Sequence, residues 1–316
     1  MRITVISGGE AGAHFTRGLL EHLDSTPDLA GSEVTVIAST GDDISLWGLR
    51  LCPDLDLLVD TLAGVDAGAA GSDVVRAELA ALGLEPQWYP VSDRALATHL
   101  ARTAWLSRGE TLTEVTTRLA ERRGLSARGV RILPMSNVPV ETHAVLDGPE
   151  DQQAVHVQQW RRDLGAPAAT RFVVAGMDRA VAGPDVLEAI RGADLVLLPP
   201  SDPVLGLGIV LGVPGVRDAL RGTSAPVVGV SPVTGSAPVP QALAASLATV
   251  GVEPTAAGVA GLYRDVLDGW LVDPSDGGAR PTGGRWTLRT HSGPIDATDS
   301  ADLAASALSL ADSLRS

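Results

Sequence analysis

The chain has 316 residues, 45% of them hydrophobic, with 38 acidic against 24 basic residues, a net charge of -14 and a single cysteine. It contains no lysine, so every basic residue is arginine; this excludes Schiff-base chemistry and a lysine-type phosphate clamp, and the acidic balance argues against nucleic acid or anionic membrane as partners. No apolar run reaches the roughly 18 to 20 residues of a spanning helix and no signal-peptide pattern opens the chain, so a cytoplasmic protein is expected.

Residues 2 to 6, RITVI, read as a short strand that breaks into Ser7-Gly8-Gly9-Glu10-Ala11-Gly12 and then into a helical pattern from Ala13 to Leu23. A strand, a glycine-rich turn and a helix start aim backbone N–H groups and a helix dipole at a diphosphate. Gly8, Gly9 and Gly12 are therefore candidate substrate contacts. The spacing is not GxGxxG, and no lone acidic residue ends a second strand as a ribose ligand, which disfavours a nicotinamide oxidoreductase.

Val34 to Ile37 is an apolar β-branched run of the kind found in buried parallel strands, and it leads into STGDDISLWGLRLCPDLDLLVD at Ser39 to Asp60. Asp42, Asp43, Asp54 and Asp56 fall within fifteen positions there. The second pair opens a helical segment, so one reading is an N-cap with an acidic first turn. In the other, a pair at a strand end and a pair at a helix start converge on a hard cation such as magnesium (Mg2+), with phosphate oxygens completing its shell. Cys52 reads as a small core residue.

A small, polar loop follows from Gly64 to Ser72, then a helix rich in Ala and Leu up to Gly83. Residues 91 to 106 have helical spacing, with Arg94, Thr98 and Arg102 four apart on one face: either a solvated face or an edge turned to an anion or an aromatic ring. Thr113 to Arg123 is an amphipathic helix ended by Gly124, and together these segments make a helical insertion at about 65–128. Val130 to Leu133 reads as a strand ending in Pro134-Met135-Ser136-Asn137. Val140 to Val145 and Ala154 to Trp160 read as antiparallel additions carrying His143 and His156, neither of them in a zinc-spaced pair. From Phe172 a parallel rhythm is expected to return, with a helix over 184–191, a strand from Asp194 to Leu198 ending in Pro199-Pro200-Ser201-Asp202-Pro203, a helix near Val213 to Arg221, and a strand from Pro226 to Val230. Two helices, a last strand around Trp270 to Val272, a turn over 274–284 and a terminal helix from Ala301 complete the pattern. The alternation predicts a single α/β domain with a doubly wound, mostly parallel sheet.

Several of these segments, GDDISLWGLRLCPDLD at 41–56, DRALATHLARTAWL at 93–106, LPMSN…VETH at 133–143, VLLPPSDP at 196–203, APVVGVSPVTGSAPV at 225–239 and LDGWLVD at 267–273, together resemble the 2-phospho-L-lactate transferase family of coenzyme F-420 biosynthesis. The resemblance implies a Rossmann-like core with a helical insertion, a magnesium-dependent homodimer, and transfer of a phospho-organic-acid unit from a guanosine diphosphate-linked donor to the terminal hydroxyl of the deazaflavin Fo, with release of GMP. In actinobacterial members the organic acid is thought to be enolpyruvate rather than lactate. Asp42, Asp43, Asp54 and Asp56 match the family's metal and acceptor-binding acids, with Asp56 and Asp42 in the catalytic role. Arg94, Thr98 and His99 match its deazaflavin-side helix, Ser136 its Met-Ser motif, and Ser201 and Pro203 its nucleotide-side loop. The chain departs from the family pattern at Glu10 and His14 in the glycine-rich start, and at Ala95, Asn137 and Asp202. Those departures leave a second expectation open: a paralogue that binds a nucleotide or deazaflavin without catalysis, or that uses another donor.

Overall fold

The structure is a computed structural model and describes residues 1–65, 72, 74–277, 286–291 and 300–315. The strands are β1 (Arg2–Ser7), β2 (Glu33–Ala38), β3 (Ile44–Leu46), β4 (Leu49–Leu51), β5 (Val130–Pro134), β6 (Glu141–Asp147), β7 (Gln152–His156), β8 (Arg171–Ala175), β9 (Leu195–Leu198), β10 (Val227–Val230), β11 (Gly269–Val272) and β12 (Thr287–Thr290). The helices are α1 (Gly9–Ser25), α2 (Pro53–Leu62), α3 (Val74–Ala81), α4 (Asp93–Leu106), α5 (Leu112–Arg122), α6 (Val157–Arg162), α7 (Val186–Arg191), α8 (Leu207–Gly212), α9 (Val216–Gly222), α10 (Gln241–Thr249), α11 (Ala256–Leu262) and α12 (Ser300–Arg315).

Seven strands form one parallel sheet in the order β12-β11-β10-β9-β1-β2-β5. Its central strands are β-branched and Leu-rich because both faces are covered, and successive side chains go to opposite cores. Ile3 and Val5 pack with Phe15 and Leu19 of α1 and Leu303 of α12. Ile6 and Ile37 pack on the other side with Val186, Val210 and Val216. This is a Rossmann-like, doubly wound α/β fold. The chain builds outward from β1 in one direction through β2 and β5, and in the other through β9 to β12, so the strand order reverses between β1 and β9. Ligands of such sheets bind beyond the carboxyl ends of the strands at that reversal, which here means Ser7-Gly8 and Pro199-Ser201.

Four elements differ from expectation. The segment 154–160 is not one strand: β7 stops at His156, whose imidazole Nδ1 accepts the Gln158 N–H at 3.1 Å and so caps α6. The buried Trp160 makes 154–160 look extended in sequence, but its burial against Phe172 and Ala166 is helical packing. Residues 171–175 do not resume the parallel sheet; they form β8, antiparallel to β6 in a separate sheet of order β7-β6-β8. The acidic stretch contains a short hairpin, β3–β4, turned at Trp47 and Gly48 with φ of 52° and 74°. The sheet also continues past β11 to β12. The segments expected at 64–72 and 274–284 lie partly outside the described residues, as does the start of the insertion, whose described part is α3, α4 and α5.

Candidate active site

At the strand reversal the glycine-rich segment is tighter than expected, because α1 begins at Gly9 with Gly8 as its N-cap and no side-chain cap. The cap is supplied by a different helix: the Asp54 carboxylate of α2 accepts the Gly9 N–H at 2.9 Å. A side chain at Gly8 would stand 2.9 Å from Asp54 Oδ2, and Gly9 adopts a left-handed φ of 72°. Gly12 lies inside α1, where the Ser7 and Ser201 hydroxyls press against its Cα and leave no room for a Cβ. Ser201 also accepts the Gly8 N–H at 3.4 Å. The three candidate glycines and Ser201 therefore share one cradle, and Ser7, whose buried hydroxyl has no partner among the described residues, joins them. Pro203 is buried in the following turn. We expect Gly12→Ala to lower stability by about 1–3 kcal/mol, the usual cost of forcing a methyl into a packed site, and to weaken nucleotide binding as well. Denaturant unfolding and calorimetry with GDP check both.

The four aspartates separate into two pairs, but not the pairs adjacent in sequence. Asp42 and Asp54 stand together: both are buried, the Asp42 charge raises Asp54, and the Asp54 backbone N–H acts on the Asp42 carboxylate. Asp42 Oδ2 accepts Gln158 Nε2 at 2.5 Å, while its Oδ1 is buried without a partner. Burial pushes the Asp42 carboxyl up against the pull of Arg161 and the Gln158 hydrogen bond, and burial plus the Asp42 charge push Asp54 well above the carboxylate range. Among the described residues no group of three or more His, Cys, Asp or Glu side chains forms a ready-made metal cage. An open pair of desolvated carboxylates, one with an orphaned oxygen, nevertheless suits a hard divalent cation whose remaining ligands are phosphate and water oxygens. Asp42 and Asp54 are the residues that would hold it.

Asp43 and Asp56 face arginines instead. Asp43 Oδ2 receives Arg50 Nη2 at 3.2 Å and the Cys52 thiol at 3.1 Å, with Arg50 bonded also to Glu141 at 2.5 Å. Burial pushes the Asp43 carboxyl up to about 7, with Arg50 opposing and Asp42 adding to the rise. Asp56, two positions after Asp54 on α2, points away from the cradle, as helical geometry requires, and its carboxylate is held by both Nη atoms of Arg102. His99 lies beside it, Nδ1 to Asp56 Oδ2 being 3.5 Å. Asp43 stays within electrostatic reach of the pair, raised by Asp42 and itself raising Asp54, while Asp56 is turned to Arg102; Cys52 is the core residue it was expected to be.

These shifts fix a pH dependence. A carboxyl whose folded value lies above its unfolded one costs stability progressively as pH rises from about 4 through the folded value. His99 and His156, pushed down to about 4 by burial, act the other way, losing stability as pH falls from about 6.5 through 4. Above pH 6.5 only the carboxyls count. In EDTA the melting temperature is expected to fall between pH 6.5 and 8, and excess Mg2+ to restore it most at pH 8; a flat profile in both media would contradict the assignment.

Other expected residues are dispersed. Arg94 is exposed on α4 and its guanidinium makes no hydrogen bond or ion pair among the described residues. Thr98 Oγ1 donates to the Arg94 carbonyl at 3.4 Å and lines a cavity of about 70 Å3 with Asp56, Asp60 and Arg123. Ser136 is buried and accepts the Val138 N–H at 3.1 Å, a turn within the β5 loop. Several family departures prove architectural. Asp202 Oδ1 accepts the Val204 and Leu205 N–H groups at 2.8 Å each, a turn that an asparagine oxygen closes equally well. Asn137 Oδ1 accepts Thr113 N and Oγ1 at 2.9 and 2.8 Å, tying α5 to the end of β5. Glu10 is exposed on the first turn of α1, near His14 at 3.6 Å, where a negative charge suits the dipole.

One cavity borders Asp54, and a second lies beyond Tyr89. The first, about 340 Å3, is lined by Gly8, Gly9, Asp54, Arg161, Ser201 and Asp202 among others. The second, about 210 Å3, is lined by Trp47 of the hairpin, Tyr89, Leu84, Pro86 and part of α3. Arg162 lies 5.7 Å from the Tyr89 ring centre and bonds Gln158 Oε1 at 2.7 Å, which links this cavity to Asp42. Gln158, Arg161 and Arg162 all belong to α6, and Tyr89 and Trp47 to loops. The sequence alone does not single them out, since 154–160 reads as strand and an isolated loop aromatic carries no periodic signal.

A doubly wound sheet with a glycine cradle and an acidic pair at its strand reversal defines a Rossmann-like α/β enzyme. The sequence model of a family described as 2-phospho-L-lactate transferase CofD matches residues 3–283. The chain belongs to that family and is a transferase. It is 46% identical over 287 residues to a phosphoenolpyruvate transferase of Thermobifida fusca (strain YX), covering 87% of each chain. With the phosphoenolpyruvate transferase of Streptomyces griseus subsp. griseus it shares 43% identity over 326 residues, covering 100% of each. The crystal structure of protein BH3568 from Bacillus halodurans has a TM-score of 0.58 and 18% identity over 86% of this chain and 80% of that one, a likeness of fold alone.

Proposed function

We propose that the protein transfers a phosphoenolpyruvyl or phospholactyl group from a guanosine diphosphate-linked donor to the terminal hydroxyl of the deazaflavin Fo, releasing GMP, in coenzyme F-420 biosynthesis. The observation that supports this reading is the desolvated acid pair Asp42 and Asp54, with Asp54 bonded to the glycine cradle and lining its 340 Å3 cavity. The relatives named phosphoenolpyruvate transferase favour enolpyruvate as the organic acid. In this reading the donor's diphosphate lies on the Gly8–Gly12 backbone and the α1 N-terminus, and the deazaflavin ring lies against Trp47 and Tyr89, whose faces suit a planar heterocycle.

The acceptor oxygen forms a new bond to the phosphorus that carries the organic acid. The bond from that phosphorus to the GMP oxygen breaks, and GMP leaves with the electron pair. The acceptor's hydroxyl proton goes to a carboxylate oxygen of the site that the cation does not engage. Mg2+, held by Asp42 and Asp54 when bound, would supply neutralisation of the diphosphate charge. The chain's own part is positioning: Gly9 N–H orients Asp54, Gln158 orients Asp42, and the aromatic wall excludes water from the ring side. Mass spectrometry of the purified protein with Fo, Mg2+ and each candidate donor tests the reading: the phospho-acyl deazaflavin and equimolar GMP are expected, and ligand binding with no product from any donor refutes it.

A further inference from the structure

We propose that Arg161 grips the diphosphate of the donor, exchanging its contact with Asp202 for the ligand's phosphate oxygens; this rests on the donor reading above. The acidic side chains Glu10, Asp54 and Asp202 border the 340 Å3 cavity, and Arg161 is the arginine among its lining residues. A diphosphate entering such a wall meets repulsion unless cations offset it, and in a lysine-free chain the offset must come from arginine or metal.

Arg161 is held at the wall with its hydrogen-bonding capacity unspent. Its described partner is a single ion pair to Asp202 Oδ2 at 3.7 Å, and the side chain is 26% exposed. Asp202 does not depend on that contact, because its Oδ1 already closes the turn at Val204 and Leu205 and Ser246 Oγ lies 3.2 Å from its Oδ2. The backbone under Arg161 is fixed: Trp160 is fully buried, donates Nε1–H to the Pro167 carbonyl at 2.8 Å and meets Phe172 edge-on at 5.4 Å. Gln158, one turn earlier, is anchored on Asp42. A guanidinium on an anchored backbone, with a planar fork of donors and one long ionic contact, is preorganised for bidentate phosphate recognition. Arg161 also acts on the charges of both Asp42 and Asp54. A cation on those acids repels it toward the ligand, so phosphate and cation binding reinforce each other.

Calorimetric titration with GDP in Mg2+, for the wild type and for Arg161→Met, Arg161→Lys and Asp202→Asn, tests the proposal, alongside melting temperatures and competition by guanosine, which has no phosphate. Arg161→Met is expected to weaken GDP roughly 10- to 100-fold, as loss of a charge-assisted hydrogen bond does, with guanosine affinity and melting temperature unchanged. Arg161→Lys should fall between, and Asp202→Asn, which keeps the turn and removes the competing charge, should bind GDP at least as tightly as the wild type. GDP binding that survives Arg161→Met overturns the proposal alone, as does an equal loss for GDP and guanosine. A wild type that binds no GDP overturns the donor reading and this proposal with it.

Discussion

Asp54→Asn is expected to cut turnover by about a hundredfold or more, with the melting temperature in EDTA equal to or above that of the wild type. The two outcomes have one cause. Asp54 is a buried acid beside another buried acid, and its charged form is disfavoured by both burial and Asp42, so neutralising it removes a cost from the ligand-free fold. The asparagine oxygen still accepts the Gly9 N–H that Asp54 now holds at 2.9 Å, so the cradle survives. What is lost is charge where the proposed cation and diphosphate would be held, and electrostatic stabilisation of a phosphoryl transition state is worth several kcal/mol. Steady-state turnover and thermal melting on one preparation check it; normal turnover would remove the acid pair from the chemistry, and a collapsed melting temperature would make Asp54 a structural residue.

The largest stability effect is expected at Arg102. Replacing it by Met keeps most of its volume but strands Asp56 and removes hydrogen bonds to Asp56 and the Arg50 carbonyl. Arg102 is 1% exposed and Asp56 22%. Breaking a buried pair costs roughly 3–5 kcal/mol, and the water at Asp56 places this case near about 3 kcal/mol. The double variant Arg102→Met/Asp56→Asn should recover part of that loss, because removing both charges leaves no uncompensated one. Urea unfolding of the single and double variants measures the coupling, and additive losses would show that the pair does not act as a unit.

The parallel core was legible in the sequence because apolar β-branched runs alternate with amphipathic helices, and strand ends rich in glycine, serine and proline mark the ligand edge. The clustering of acids was legible too, but not how they sort. Sequence proximity pairs Asp42 with Asp43 and Asp54 with Asp56, while space pairs Asp42 with Asp54 and gives an arginine to each of the others. Adjacent residues after a strand point opposite ways, and residues two apart on a helix diverge by more than a right angle, so each acid pair had to split. The missing information was the partners' location: Arg50 lies on the hairpin, Arg102 on α4 and Gln158 on α6, and long-range pairing leaves no periodic trace. Arg94, scarce as a cation and shared with Thr98 on one helical face, proved exposed, whereas Arg102 on that same face is the buried one.

The β3–β4 hairpin leaves the main chain at Asp43 and returns at Cys52, and the thiol of its last residue lies 3.1 Å from the carboxylate of its first. The two feet of the loop are thus tied to each other, while Trp47 at its tip forms a wall of the aromatic cavity. Exchanging residues at the tip reshapes that wall without displacing the feet. If the proposed acceptor ring lies against that wall, tip substitutions would change which ring system is preferred while the glycine cradle stays as it is.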